Sequence, residues 1–90
     1  MFKQKLVLND KQTEIIEWMI VHAHHTALET WQMLFSERNS REPDRCIAYY
    51  DNLNSIQKAD VELVVARYFN LHAKGIGVKK SYKDLLYVEK

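Results

Sequence analysis

Three side chains in the first third of the chain have the types and the spacing of a metal site. His22 and His25 lie three residues apart and Glu29 follows four residues later, so on a helix they share one stripe. Imidazole and carboxylate groups at this spacing can bind a divalent ion such as zinc. A rigid site needs three or four ligands, and neither His24 nor His72 is placed to join them. We therefore favour a polar outer helix face, and keep metal binding as an alternative.

Covalent catalysis has no recognisable motif in this sequence. Cys46 is the only cysteine, which excludes an intramolecular disulfide and a cysteine-based zinc site. It lies on an apolar stripe, where a thiol is usually buried and inert. Two glycines are too few for a phosphate loop or a dinucleotide fingerprint. We expect no enzyme, no cofactor and no small-molecule substrate.

The most basic part of the chain is the segment from residue 67 to residue 83. It holds five cations and no acid, whereas the whole chain carries 13 basic and 12 acidic residues for a net charge of +1. Cations interleaved with aromatic residues can bind phosphates while a ring stacks on a base. Lysines near a helix C-terminus also simply complement the helix dipole. Nucleic-acid binding is thus an alternative function, and its candidate residues are Arg67, Lys74, Lys79, Lys80 and Lys83.

This basic segment lies in a stretch of sequence that resembles part of a known protein family. Arg67-Tyr68-Phe69 ends a predicted helix, Gly75 follows, and residues 81–86 read Ser-Tyr-Lys-Asp-Leu-Leu. Residues 53–86 thereby resemble the start of the helix-turn-helix region of RNA polymerase sigma factors and related phage regulators. The resemblance implies that residues 81–86 open the first helix of the motif. It covers about a third of the chain and does not include a recognition helix, so it does not establish a family.

Apolar residues are in excess on the first predicted helix. An outer helix of a small domain needs an apolar arc of a little over 100°, but Trp31, Met33, Leu34 and Phe35 span a wider one. The surplus is buried either by the other helices or by another chain. Aromatic residues and methionine are enriched at protein interfaces, so we expect a protein partner or a second copy. The predicted anchors are Trp18, Trp31, Met33 and Phe35.

Helix signals predict one all-α domain over residues 1–90, a small bundle of about four helices. Asn9 with Gln12 has capping-box spacing. The lack of Gly or Pro between Asp10 and Pro43 favours one long helix to about Ser36 over two helices that break near residues 24–26.

The remaining elements follow from proline, glycine and apolar spacing. Pro43 is expected at the first position of the second helix, and Asn54 or Ser55 caps the third. Gly75 ends that helix, and residues 81–84 open a short fourth helix through Val88. A minimal ribbon between residues 5–8 and 76–80 is a minor alternative. The expected buried stripes are Cys46, Tyr49, Tyr50 and Leu53, and Val61, Val64, Val65, Tyr68 and Leu71.

The interpretation of function follows from these surfaces. Only three consecutive apolar residues occur near the N-terminus, too few for a signal peptide or a membrane span, so we expect a cytoplasmic protein that contacts no membrane. We predict a non-catalytic regulator, inhibitor or adaptor that acts by protein binding, is homo-oligomeric, and is of the phage or mobile-element type.

Overall fold

The computed structural model describes residues 3–22, 26–75 and 85–89. Within these ranges the chain is a small helical bundle with a two-stranded ribbon, which confirms the all-α class. α1 packs against α3 and α4, and α2 also packs against α3 and α4. In chain order the elements are β1 (Lys3–Lys5), α1 (Asp10–Val21), α2 (Ala27–Ser36), a 3-10 turn (Glu37–Asn39), α3 (Arg45–Asp51), α4 (Ser55–Ala73) and β2 (Tyr87–Glu89).

The predicted long first helix is wrong, because it is two helices. α1 ends at Val21 and α2 begins at Ala27. Thr26 is the N-cap of α2 in an extended conformation, with φ −71° and ψ 162°, so the helix cannot pass through it. The capping box Thr-x-x-Glu starts a new helix at this point. It therefore interrupts a stretch of helix-forming residues that contains neither Gly nor Pro.

The other helix starts are set by side-chain caps. Asn9 with Gln12 forms the capping box of α1, as the spacing predicts. Asn54, one of the two predicted caps of α4, forms a capping box with Gln57. The start of α3 differs from the prediction: Pro43 precedes the helix, and the side chain of Asp44 accepts a hydrogen bond from the N–H of Cys46 as the N-cap. The carboxylate of an N-cap residue can accept a hydrogen bond from a free N–H of the first helical turn, and the ring of proline cannot accept one.

The C-terminal residues also differ from the prediction. Residues 81–84 lie outside the described ranges, as does the predicted strand 76–80. Leu85 and Leu86 form a 3-10 turn that leads into β2 rather than a continued helix. β2 pairs antiparallel with β1, with Gln4 opposite Val88, and the N–H of Leu6 donates to the carbonyl of Leu86 over 2.8 Å. Tyr87 and Val88, predicted as the end of the fourth helix, thus lie in a strand.

The core lies between α1, α3 and α4. α1 contributes Ile15, Ile16 and Met19, all fully buried. Gln12 is the buried polar residue of α1, and its Nε2 donates to the carbonyl of Gln57 over 3.1 Å, tying the starts of α1 and α4 together. Both predicted stripes are confirmed, with Tyr49, Tyr68 and Leu71 half-buried at their edges. The other buried apolar residues are Leu34, Cys46, Ile47, Tyr50, Leu53, Val61, Val64, Val65, Phe69 and Leu86.

Among the described residues, no helix has both the length and the apolar character that crossing a bilayer requires.

Candidate protein-binding surfaces

Trp31 and Phe35, two of the predicted anchors, form an aromatic cluster with Tyr50. The ring centroids of Trp31 and Phe35 are 5.8 Å apart, and each lies within 5.4 Å of the ring of Tyr50. Both side chains are half-buried and pack on the core. Their packing joins α2 to α3, so only their outer edges are available to a partner. Met33 is half-buried on the same helix.

Trp18, the remaining predicted anchor, lines an open cleft beside the C-terminal end of α1. Its ring stacks on the ring of His22 with centroids 4.0 Å apart. The cleft has a volume of about 310 Å³, and Arg45 at its edge pairs with Glu14 over 2.8 Å. Its mixture of carboxylates and aromatic surface suits a basic side chain laid along the indole. The lining residues are Glu14, Glu17, Trp18, Val21, His22, Asp44, Arg45 and Cys46.

The predicted metal stripe is divided by the break between α1 and α2. His22 is the C-cap of α1, and its Nδ1 donates to the carbonyl of Trp18 over 2.8 Å, which satisfies one of the free carbonyls of the helix end. Glu29 belongs to the capping box of α2, and His25 lies outside the described residues. In the described part of the chain, no three His, Cys, Asp or Glu side chains are grouped as metal ligands.

Two of the predicted phosphate-binding cations are described, and they have different surroundings. Nη1 of Arg67 donates to the carbonyl of Leu85 over 2.9 Å, so this side chain holds the C-terminal turn against α4. Lys74 is exposed at the C-cap of α4, where a cation complements the helix dipole. The other three candidates, Lys79, Lys80 and Lys83, lie outside the described ranges.

Cys46 is buried, as its position on the apolar stripe predicts. Burial raises the pKa of its thiol to about 12, and the neighbouring carboxylates of Asp44 and Glu14 act in the same direction. Its Sγ lies 3.6 Å from the carbonyl oxygen of Glu14. A thiol in these surroundings stays protonated at neutral pH and is a poor nucleophile.

The surface that sequence reasoning missed is the outward face of α4. Six residues recur at alternating spacings of three and four, and every one of them is exposed. They cover an arc of about 100° on the side of α4 opposite its buried valines. The same window of the sequence contains two apolar stripes, and the predicted stripe with Val61, Val64 and Val65 is the buried one. The residues of this α4 outer face are Ile56, Ala59, Leu63, Ala66, Asn70 and Ala73.

The α4 outer face has the composition of an interface centre. Its six positions carry no charged side chain, while Asp60, Glu62 and Arg67 lie along its two edges. Ile56 keeps 75% and Leu63 37% of its surface exposed. An apolar centre with a charged rim is the usual anatomy of a protein–protein interface.

Comparison of the chain with models of protein families, with curated proteins and with solved structures gives no significant match.

Proposed function

We propose that this protein is a non-catalytic, cytoplasmic regulator, inhibitor or adaptor of the phage or mobile-element type, which acts by binding another protein or a second copy of itself. The observation that carries the proposal is the second apolar face of α4. The first face, with Val61, Val64 and Val65, is fully buried in the core. The α4 outer face is equally regular and faces solvent.

Two physical arguments support binding at this face. Burying apolar surface contributes about 25 cal/mol per Å², so a regular exposed stripe on a helix of 19 residues favours association. The small side chains of Ala59 and Ala66 add a shape argument, because they let the backbone of a partner helix approach closely. Solubility alone would favour charged residues at these positions.

The test compares proteins captured from cells of the native host by three versions of the chain. Leu63→Glu places a charge in the middle of the α4 outer face. Leu28→Glu is the matched control, since Leu28 is also an exposed leucine (68% exposed) but lies on α2. We expect the wild type and Leu28→Glu to retain the same partner, which Leu63→Glu loses. Circular dichroism establishes that all three are folded. Identical capture by all three, self-association included, would overturn the proposal.

The Trp18 cleft offers a second surface for the same function. Among its lining residues, three carboxylates accompany one guanidinium, so it favours a lysine or arginine of the partner. Glu17→Gln, which removes one of these carboxylates from the exposed side of the cleft, is expected to weaken binding of such a partner more at low salt than at high salt. An equal loss of affinity at both salt concentrations would show that charge does not contribute to binding at this cleft.

Nucleic-acid binding through segment 67–83 is the alternative function. Exposed Lys74 supports it among the described residues, while Arg67 contacts the carbonyl of Leu85. It predicts binding that weakens steeply with salt. A mobility shift at low salt that is unchanged by Lys79→Ala combined with Lys80→Ala would exclude this segment as the binding site.

A further inference from the structure

We propose that the α4 outer face binds a second copy of this chain, and that the two α4 helices run antiparallel across a two-fold axis. The inference rests on the proposed function and specifies its partner.

The spacing of the face reads the same in both directions. From Ile56 to Ala73 the steps are three, four, three, four and three residues. When Leu63 lies opposite Ala66 of an antiparallel copy, Ile56 therefore comes opposite Ala73, and Ala59 comes opposite Asn70. Each of the six residues then faces a residue of the second copy. The six pairs are of three kinds, and each kind occurs twice because of the two-fold axis. Alternating steps of three and four are also the spacing of helices that pack as a coiled coil.

The volumes favour the antiparallel orientation. In it, both large apolar residues of the face, Ile56 and Leu63, lie opposite an alanine, so the layers have similar thickness. Two helices can then pack at an axis separation of about 8 Å. A parallel dimer in register would instead place Leu63 on Leu63 and Ala66 on Ala66. Its alternating thick and thin layers would leave voids at the alanines, and voids are costly in a packed interface.

The charges at one edge are complementary in this register. Asp60 of one copy lies within about one helical turn of Arg67 of the second copy, and the pair occurs twice. Such rim pairs affect orientation and association rate more than affinity. The guanidinium of Arg67 also donates to the carbonyl of Leu85, so this pair would add to that contact. A parallel dimer would instead pair Glu62 with Arg67. The rim charges are thus compatible with a second copy, and the volumes decide for the antiparallel orientation.

Disulfide trapping tests the orientation. Ile56→Cys and Ala73→Cys are made as separate variants in the full chain, and each is oxidised alone and after mixing. Positions 56 and 73 are about 26 Å apart along α4, and a disulfide requires Cα atoms within roughly 7 Å. The antiparallel dimer predicts cross-linking in the mixture and little in either variant alone. Native Cys46 is buried, and a repeat in a Cys46→Ala background shows that it takes no part.

Efficient cross-linking of Ile56→Cys with itself would overturn the antiparallel orientation. Sedimentation equilibrium then tests the dimer itself. We expect the wild type and Leu28→Glu to be dimers at micromolar concentration, with Leu63→Glu weakened at least roughly tenfold. A monomeric wild type without cross-links would overturn this inference, while the proposed function would survive if Leu63→Glu still lost a different captured protein. A dimer unaffected by Leu63→Glu would exclude the α4 outer face.

Discussion

Thr26 and Glu29 cap each other's backbone at the start of α2. The hydroxyl of Thr26 accepts a hydrogen bond from the N–H of Glu29 over 3.1 Å, and Oε1 of Glu29 accepts one from the N–H of Thr26 over 3.2 Å. The hydroxyl of Thr30 donates to the carbonyl of Thr26 over 2.8 Å. These bonds occupy the first-turn groups of a new helix, so α2 begins at Ala27 as a separate helix rather than as an extension of α1.

Thr26→Ala should destabilise the protein by about 1 kcal/mol, because it removes the acceptor for a free helix donor. Urea denaturation followed by circular dichroism measures the loss. Gln32→Ala on the exposed side of α2 is the control, with an expected change within about 0.5 kcal/mol. Equal stabilities of wild type and Thr26→Ala would show that the capping box does not hold this break.

Trp31→Ala should destabilise the fold, because Trp31 packs on both Phe35 and Tyr50. Full burial would make the cost about 3–5 kcal/mol, and half-burial lowers it to roughly 1–3 kcal/mol, in proportion to the surface removed from water. Leu28→Ala, at an exposed leucine of the same helix, is the control. A Trp31→Ala protein with wild-type stability would return Trp31 to the role of a partner anchor alone.

The ion pair of Arg38 with Asp51 should make stability depend on acid pH. Nε of Arg38 donates to Oδ2 of Asp51 over 3.1 Å, and Nη2 donates to Oδ1. This hydrogen bonding lowers the pKa of the Asp51 carboxyl. Its contribution is therefore complete above the ordinary carboxyl pKa near 4, and is lost as pH falls through the lowered value.

Denaturation of wild type and Asp51→Asn at several pH values checks this dependence. The wild type should be the more stable at neutral pH, by a small amount since both side chains are exposed, and the difference should vanish in strong acid. Glu42→Gln, at an exposed carboxyl that forms no ion pair within the described part of the chain, is the comparison. A difference that persists unchanged in strong acid would contradict an ionic contribution.

Cys46 should react slowly with thiol reagents in the folded protein. Burial holds the pKa of this thiol at about 12, so the thiolate is scarce at pH 8, and access requires opening of the core. The measurement is the rate of colour release from a disulfide reagent, before and after unfolding in guanidinium chloride. Ser40→Cys in a Cys46→Ala background is the exposed control. Equally fast reaction of the native Cys46 would contradict the buried site.

Local chemistry explains which parts of the fold could be predicted. The caps at Asn9 and Asn54 and the apolar stripe of α4 are properties of a few neighbouring residues, so their interpretation was confirmed. The break before α2 was missed because the Thr26–Glu29 signal competes with strong helix formers on both sides. The strand at Tyr87–Glu89 was missed because its partner, β1, is more than 80 residues away in the chain.

The site predictions divide along the same line. Aromatic residues and methionine are common at interfaces, and on that ground the sequence predicts four anchors. Residue type alone does not predict which side chains of the same protein contact them. The four anchors are Trp18, Trp31, Met33 and Phe35. Tyr50 occupies one side of Trp31 and Phe35, and His22 one side of Trp18. The α4 outer face contains alanines, which carry little signal as single residues. It can be recognised as a surface only when the opposite side of α4 is seen to be buried.

The sequence by itself determined the helical class, most helix ends, the inward stripes and the protected state of Cys46, because each depends on hydrogen bonds and apolar periodicity over a few residues. The tertiary structure alone decided that Tyr87–Glu89 pairs with the first strand, and that the rest of the bundle leaves the α4 outer face exposed. Those outcomes depend on contacts between distant segments. Their free energies come from surface that only the assembled bundle buries.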